Sequence, residues 1–437
     1  MVVYKPESAE QGIALGQSMH GLAAELFPIC RSITGNGVRA TLSIIKHELP
    51  NLQVFEVPSG TACFDWVVPD EWNIRDAYIL DPNGQKIVDF KQNNLHVVGY
   101  SVPVDGSFSL KELRPHLYAQ PERPDAIPYV TSYYQKHWGF CLPYRQYRAL
   151  SSGTYQVKID STLAPGSLTY GEILIPGALE REVLLSTYVC HPSLANNELS
   201  GPVVTVALAK WLAETPRRYS YRIIFIPETI GSIYYLSRHL DRLKQTVDAG
   251  FVVTCVGDDR AYSYLPSRAG GTLADRAALH ALSHSGQDFI RYSFLDRGSD
   301  ERQYCSPGVD LPVASLMRSK YATYPEYHTS NDDLSLITPS GLSGGFKMLQ
   351  RALESIEANR RYRTTTTCEP SLSRRGLYPT IGTTDVAKVV REMMTILAYA
   401  DGNHDLLQVA EMLNVPVWQV AETAARLEQH NLLAEIA

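Results

Sequence analysis

Residues 182–213, EVLLSTYVCHPSLANNELSGPVVTVALAKWLA, decide the fold. Their opening run, EVLLSTYV, is strand-like and suits burial on both faces. From Pro202 the apolar residues recur at helical spacing. Between the two lie His191, a loop rich in Pro and Asn, and Leu-Ser-Gly at the helix start. Two explanations of those polar residues compete. Either they ligate a metal or they cap the helix.

The alternation continues outward. GEILIPG precedes the stretch as a strand. YRIIFIP, SIYYLSRHLDRLKQ, GFVVTCVG, LADRAALHALSHSG and LPVASLMR follow as strand, helix, strand, helix and strand. This pattern predicts a mostly parallel sheet with helices on both faces. Ligands of such sheets bind beyond the carboxyl ends of the strands. His191, Glu228, the pair Asp258–Asp259, and His328 in YPEYHTSNDDL follow four such strands. Two imidazoles and carboxylates converging at one sheet edge would suit zinc, with an open position for water. A nearby carboxylate could then act as general base. Taken singly, each residue has a plainer reading. A histidine at a strand end is more often a hydrogen-bonded structural residue, and an aspartate there more often an N-cap.

The segments CHPSLANNELSG, FIPETIGS and YHTSNDDL together resemble zinc aminopeptidases, in their His…Asp-Asn-x-Ser-Gly, Glu-Glu-x-Gly-x-x-Gly-Ser and His-Thr motifs. FPICRSITGNGVRATL and FDWVVPDEWNIRDAYI are similar to signatures of a bacterial branch of that superfamily, the aminopeptidase-like proteins associated with polysaccharide biosynthesis. The resemblance covers almost the whole chain. It implies a phosphorylase/hydrolase-like zinc exopeptidase α/β core with a β-rich insertion and a C-terminal winged helix. It also implies a metal-dependent hydrolase that cleaves an amide of a peptide or small amino-acyl conjugate. The alternative is a catalytically impaired relative that binds or scaffolds in a biosynthetic pathway.

The chain departs from the pattern at three positions. Asn197 stands where the resemblance implies a metal-bridging Asp, Glu228-Thr229 where it implies paired glutamates, and Thr254 near its third acidic ligand. Glu228 is then either the base beside a missing ligand, or the ligand with the base elsewhere. Asp258 or Asp259 could stand in for the third ligand. The expectation is one zinc ion on His191, His328 and one carboxylate, with Asn197 as a neighbour or weak oxygen donor. A metal-free site is the alternative. Glu301, in GSDERQYC, is a further candidate for base or amine anchor, against the plainer reading of a solvated charge.

Residues 20–50 read as helix, glycine break, helix. From about Val54 to Leu168, short alternating runs between Pro, Gly and Asp turns mark a β-rich module. The expected organisation is 1–54 with 166–362 as the α/β core, 55–165 as the insertion and 384–437 as the winged helix. Trp66, Trp72, Tyr144 and Arg145 of the insertion could line a small-molecule pocket. For the tryptophans, membership of the module's own core is at least as good a reading. Tyr262, Tyr264 and Arg268 could grip a carboxylate or phosphate. A Thr-, Ser- and Arg-rich stretch, 360–384, reads as a connector. Between Asp385 and Ala437 only Lys388, Arg391 and Arg426 face eight acidic residues. That balance, with a net charge of −6 over 437 residues, argues against nucleic acid, whose affinity leans on phosphate neutralisation. There is no apolar run long enough to cross a bilayer and no signal-peptide pattern. Seven scattered cysteines make no disulfide framework. A cytoplasmic protein is expected, with a homo-oligomer left open.

Overall fold

The computed structural model describes residues 9–377 and 384–436. Two helices come first, α1 (Ala9–Leu26) and α2 (Asn36–Glu48). The first begins earlier than its sequence pattern suggests. β1 (Gln53–Pro58) follows. The chain then leaves the core. β2 (Glu71–Leu80), β3 (Lys86–Asp89), β4 (Val104–Ser109) and β5 (Thr154–Ala164) form an antiparallel sheet of their own, in the order β3-β2-β5-β4. It returns as β6 (Ser167–Ile175), β7 (Glu182–Tyr188), α3 (Ser200–Ala213), β8 (Ser220–Ile226), α4 (Ile230–Thr246) and β9 (Val247–Val252). β10 (Ser263–Leu265), α5 (Leu273–Ser283), β11 (Ile290–Arg291), β12 (Val313–Met317) and α6 (Pro339–Ala358) complete the core.

The eight-stranded central sheet runs β1-β6-β8-β7-β9-β12-β10-β11. Its middle, β8-β7-β9-β12, is parallel. β1, β6 and β8 pair antiparallel, as do β10 and β12. β10 and β11 pair parallel, so the sheet is mixed, with parallel pairs in the majority. β1 also belongs to it, although the change in sequence texture near Val54 points into the insertion. The reason is topological: the β-rich excursion interrupts a pair of antiparallel neighbours.

Every residue of β7 and β8 is buried. Side chains alternate between faces. Val183, Leu185, Ile223 and Phe225 join one core, and Leu184, Ile224 and Ile226 the other. Each such side chain contributes about 1.5–3 kcal/mol, so these two strands anchor the edge where β7 hands over to His191. At that edge Gly201 is required by close approach. A Cβ there would lie 2.4 Å from Val253 O and 2.5 Å from Thr187 Oγ1.

The C-terminal module comprises β13 (Arg361–Thr364), α7 (Thr384–Tyr399), β14 (Asp401–Asp405), α8 (Leu406–Leu413), α9 (Val417–Gln429) and β15 (Leu433–Ile436). Its sheet order is β14-β13-β15. The middle strand thus comes from the stretch that reads as a connector. The module docks on the core. Arg276 Nη1 and Nη2 grip Asp405 at 2.7 and 2.6 Å, and Val417 N donates to His280 Nε2 at 2.8 Å. No helix among the described residues is long and apolar enough to cross a membrane.

Candidate metal centre

The loop after β7 does not cap α3 in the ordinary way. Residues Ala195–Leu199, ANNEL, form one buried π-helical turn. Such turns are rare and concentrate at functional sites. Asp332 holds its start, accepting from Asn196 N at 2.6 Å and Asn197 N at 3.0 Å. The three polar side chains of the turn reach three different partners. Asn196 Nδ2 donates to Asp258 Oδ2 at 3.0 Å. Asn197 Oδ1 accepts from the Tyr188 hydroxyl at 3.3 Å. Glu198 Oε2 lies 2.8 Å from His191 Nδ1.

The His191 and His328 rings lie side by side, with centroids 5.6 Å apart. Tyr129, from the segment between β4 and β5, packs against both rings at 5.3 and 5.0 Å. Its backbone N donates to His328 O at 2.9 Å. Tyr327 stacks on the other side of His328 at 3.9 Å. His191 Nε2 faces Glu228 Oε2 at 3.8 Å, too far for a hydrogen bond. His328 Nε2 is buried and has no hydrogen-bond partner among the described residues. Burial pushes both imidazoles down to about 3, helped by Arg31 at His191 and by His191 at His328. Both are neutral at physiological pH, as metal ligation requires.

The backbone is strained at these strand ends. Ser193, Thr229, Cys255 and His328 all have positive φ. Thr229, at φ 64° and ψ −79°, is the centre of a γ-turn closed by Ile230 N on Glu228 O at 2.8 Å. This rare conformation is costly, and it turns the Thr229 N–H onto Asp300 Oδ1 at 2.8 Å. Ser299 Oγ donates to Glu228 Oε1 at 2.8 Å. Burial first, and Asp300 next, push Glu228 up to about 8. Glu301 is buried, not a solvated charge. Its Oε1 accepts from Gly298 N, Ser299 N and the Tyr321 hydroxyl, while Oε2 has no partner among the described residues.

Other expected site residues have structural employment. Both oxygens of Asp258 are filled, by Arg260 N, Ser319 N, Ser319 Oγ and Asn196 Nδ2. Its four acceptor positions are thereby spent. Asp259 accepts from Ser340 Oγ at 2.9 Å and from Thr338 Oγ1, at the start of α6. Asp258 thus has no acceptor position left for an ion, while Asp259 Oδ1 faces the Arg318 guanidinium at 3.9 Å. Tyr264 is a core residue of β10 whose hydroxyl donates to Asp275 at 2.7 Å, and Arg268 pairs with Asp310 at the surface. Neither is free to grip a substrate. Trp72 is buried and donates to Ser101 O at 2.9 Å. Trp66 stands half-exposed, edge-on to Tyr134 at 5.6 Å. Tyr144 stacks on Tyr147 at 6.1 Å, Arg145 pairs with Asp125 at the surface, and Tyr262 lies under the Arg318 guanidinium.

Two of the expected donors stand near the spacing that a shared ion would require. Ligands sharing a zinc through bonds of about 2.0–2.1 Å stand roughly 3.3 Å apart in a regular tetrahedron. The 3.8 Å between His191 Nε2 and Glu228 Oε2 is a modest expansion of that spacing. His328 Nε2 is unpartnered among the described residues, and its ring centroid lies 5.6 Å from that of His191. Around Asn197 there is instead a neutral network. The Tyr188 hydroxyl lies 2.6 Å from Asn197 O and 2.5 Å from Thr254 Oγ1. The two positions where the resemblance implies acids are thus tied to each other by a phenol, with no charge to offer a cation. Among the described residues, the three ligand-bearing side chains that lie close enough to one another to hold an ion are Cys190, His191 and Glu198. Glu198, however, faces the buried Arg31 guanidinium at 3.4 Å, which opposes a second cation.

A family model described as "Domain of unknown function (DUF4910)" matches residues 20–359, and one described as "winged helix-turn-helix" matches residues 360–435. A Clostridium acetobutylicum protein is 46% identical over 420 residues, covering 96% of each chain. Its provisional name is "polysaccharide biosynthesis protein with aminopeptidase-like domain". A crystal structure of a candidate peptidase from that organism matches with a TM-score of 0.91 at 44% identity, over 98% of each chain. A zinc aminopeptidase from Bacillus subtilis shares the fold, with a TM-score of 0.58 at 12% identity, over 81% of this chain and 96% of that one.

Proposed function

The chain belongs to the DUF4910 family, in its form with a C-terminal winged helix, and on that premise we propose that it is a one-metal amide hydrolase of aminopeptidase type. The observation that carries this is a pair of neighbouring buried neutral imidazoles, one facing a carboxylate and the other with an unpartnered nitrogen. His191 Nε2 faces Glu228, and His328 Nε2 has no other partner among the described residues. His191, His328 and Glu228 would hold the ion, a His2Glu set of the kind catalytic zinc takes. When bound, zinc supplies Lewis-acid polarisation of the amide carbonyl and a more acidic water.

The remaining chemistry belongs to the chain. Ser299 fixes Glu228 through Oε1, leaving Oε2 for the site. Glu301 is pinned at Oε1 by three donors, which leaves Oε2 to hold a proton taken from water and return it to the leaving amine. Tyr129 and Tyr327 keep bulk water off the two rings. The partly exposed Glu228 and the buried Asp300 and Glu301 favour a substrate that carries a free amine. A small peptide or amino-acyl conjugate meets that description.

The test measures zinc content and hydrolysis of amino-acyl anilides and dipeptides, with free and acetylated amines. One zinc per chain is expected, with turnover of the free-amine substrates that His328→Ala abolishes. A protein that takes up no zinc and turns over none of them is a binding protein instead, and the proposal fails.

A further inference from the structure

We propose that Glu198, held in place by Arg31, is the positioning residue of His191: it fixes the ring's orientation and tautomer so that Nε2 presents a lone pair to the site. This rests on the reading of His191 as a metal ligand. The three groups come from separate elements. Arg31 follows α1, His191 ends the strand connection after β7, and Glu198 projects from the π turn. Glu198 Oε2 meets His191 Nδ1 at 2.8 Å. A proton on Nδ1 donated to the carboxylate leaves Nε2 unprotonated, on the side of Glu228. A hydrogen bond at one imidazole nitrogen decides what the other can do.

Arg31 braces the same unit from behind. Its Nε lies 3.4 Å from Glu198 Oε1 and donates to His191 O at 2.9 Å. Its Nη1 donates to Leu26 O at 2.7 Å. One guanidinium thus grips both the positioning carboxylate and the backbone of the ligand. Both side chains of the ion pair have zero exposure. Such a pair is expensive to desolvate, and well-packed apolar residues of similar volume often serve stability as well or better. Its retention at this place fits a role in aiming His191 more than one in holding the fold.

The experiment compares Glu198→Ala and Glu198→Gln with the wild-type full chain. Zinc affinity is measured by chelator competition, and the histidine tautomer by nitrogen-15 side-chain NMR on the metal-free protein. Near-UV circular dichroism verifies folding. Loss of an outer partner of a ligating histidine weakens metal binding about 10–100-fold. Glu198→Ala should show that loss and lose the Nδ1–H form of His191. Glu198→Gln, whose amide oxygen can still accept from Nδ1, should recover most of both. Unchanged zinc affinity in a folded Glu198→Ala protein, or a wild-type His191 protonated at Nε2, overturns the proposal. A wild type that binds no zinc overturns the metal reading instead, and the tautomer measurement still judges Glu198.

Discussion

Replacing Arg31 by methionine should destabilise the α/β core more than any surface substitution. The change leaves Glu198 buried without its counter-charge. At 3.4 Å and an effective dielectric of about 20, the pair's attraction is roughly 5 kcal/mol. Two buried carbonyls, Leu26 O and His191 O, also lose a donor, at about 1–3 kcal/mol each if nothing replaces it. Glu198 can respond by taking up a proton, because burial already pushes it upward and Arg31 is what draws it back. Neutralisation therefore limits the electrostatic part, and the expected loss is about 3–5 kcal/mol, the usual cost of breaking a buried pair from one side. The assay is denaturant unfolding of the α/β core followed by circular dichroism. The double variant Arg31→Met/Glu198→Leu removes both charges and should recover most of the loss. A single-variant loss below about 1 kcal/mol, the value of an exposed pair, would refute the reasoning.

Three further outcomes follow from the same geometry. Glu228→Gln should lower zinc occupancy along with turnover; full occupancy with turnover lost would move Glu228 from the ligand set to the base. Tyr188→Phe removes the hydroxyl that joins Asn197 to Thr254, and calorimetry should show about 1–3 kcal/mol of lost stability for the unsatisfied groups. The docking of the winged helix should weaken in acid. Burial, then His284 and Arg276, push His280 down to about 4 from its ordinary 6.5, so the neutral form that accepts from Val417 N is favoured by folding. That contribution is complete above pH 6.5 and is lost as the pH falls toward 4; limited proteolysis across this range, with no change in cleavage at the junction, would count against it.

How far the sequence reaches is visible residue by residue. His191 and Glu228 stood out as candidates because each lies just past a strand of one sheet, and the carboxyl ends of such strands converge; His328 lies farther on, in the long loop after β12. Asp258 and Asp259 follow a strand of the same sheet, but strand order cannot supply their partners: Asn196, Ser319, Thr338 and Ser340 reach them only when distant segments meet. Tyr264 reads as a candidate grip for a substrate anion, yet β10 pairs antiparallel with β12 and carries its ring into the core. Arg31 and Tyr129 escaped notice because 160 and 62 residues separate them from His191 in the sequence. Glu198 lies only seven positions from His191, but its direction depends on a π turn that no α-helical spacing anticipates.

The central claim is one metal at a site whose second position is a neutral network, and metal stoichiometry tests it most directly. Zinc per chain is counted by mass spectrometry after mild dialysis, on the wild type and on Asn197→Asp. An amide oxygen is a weaker donor than a carboxylate and neutralises no charge. The wild type should therefore hold one zinc, and Asn197→Asp should raise the occupancy. Two equivalents in the wild type would contradict the account.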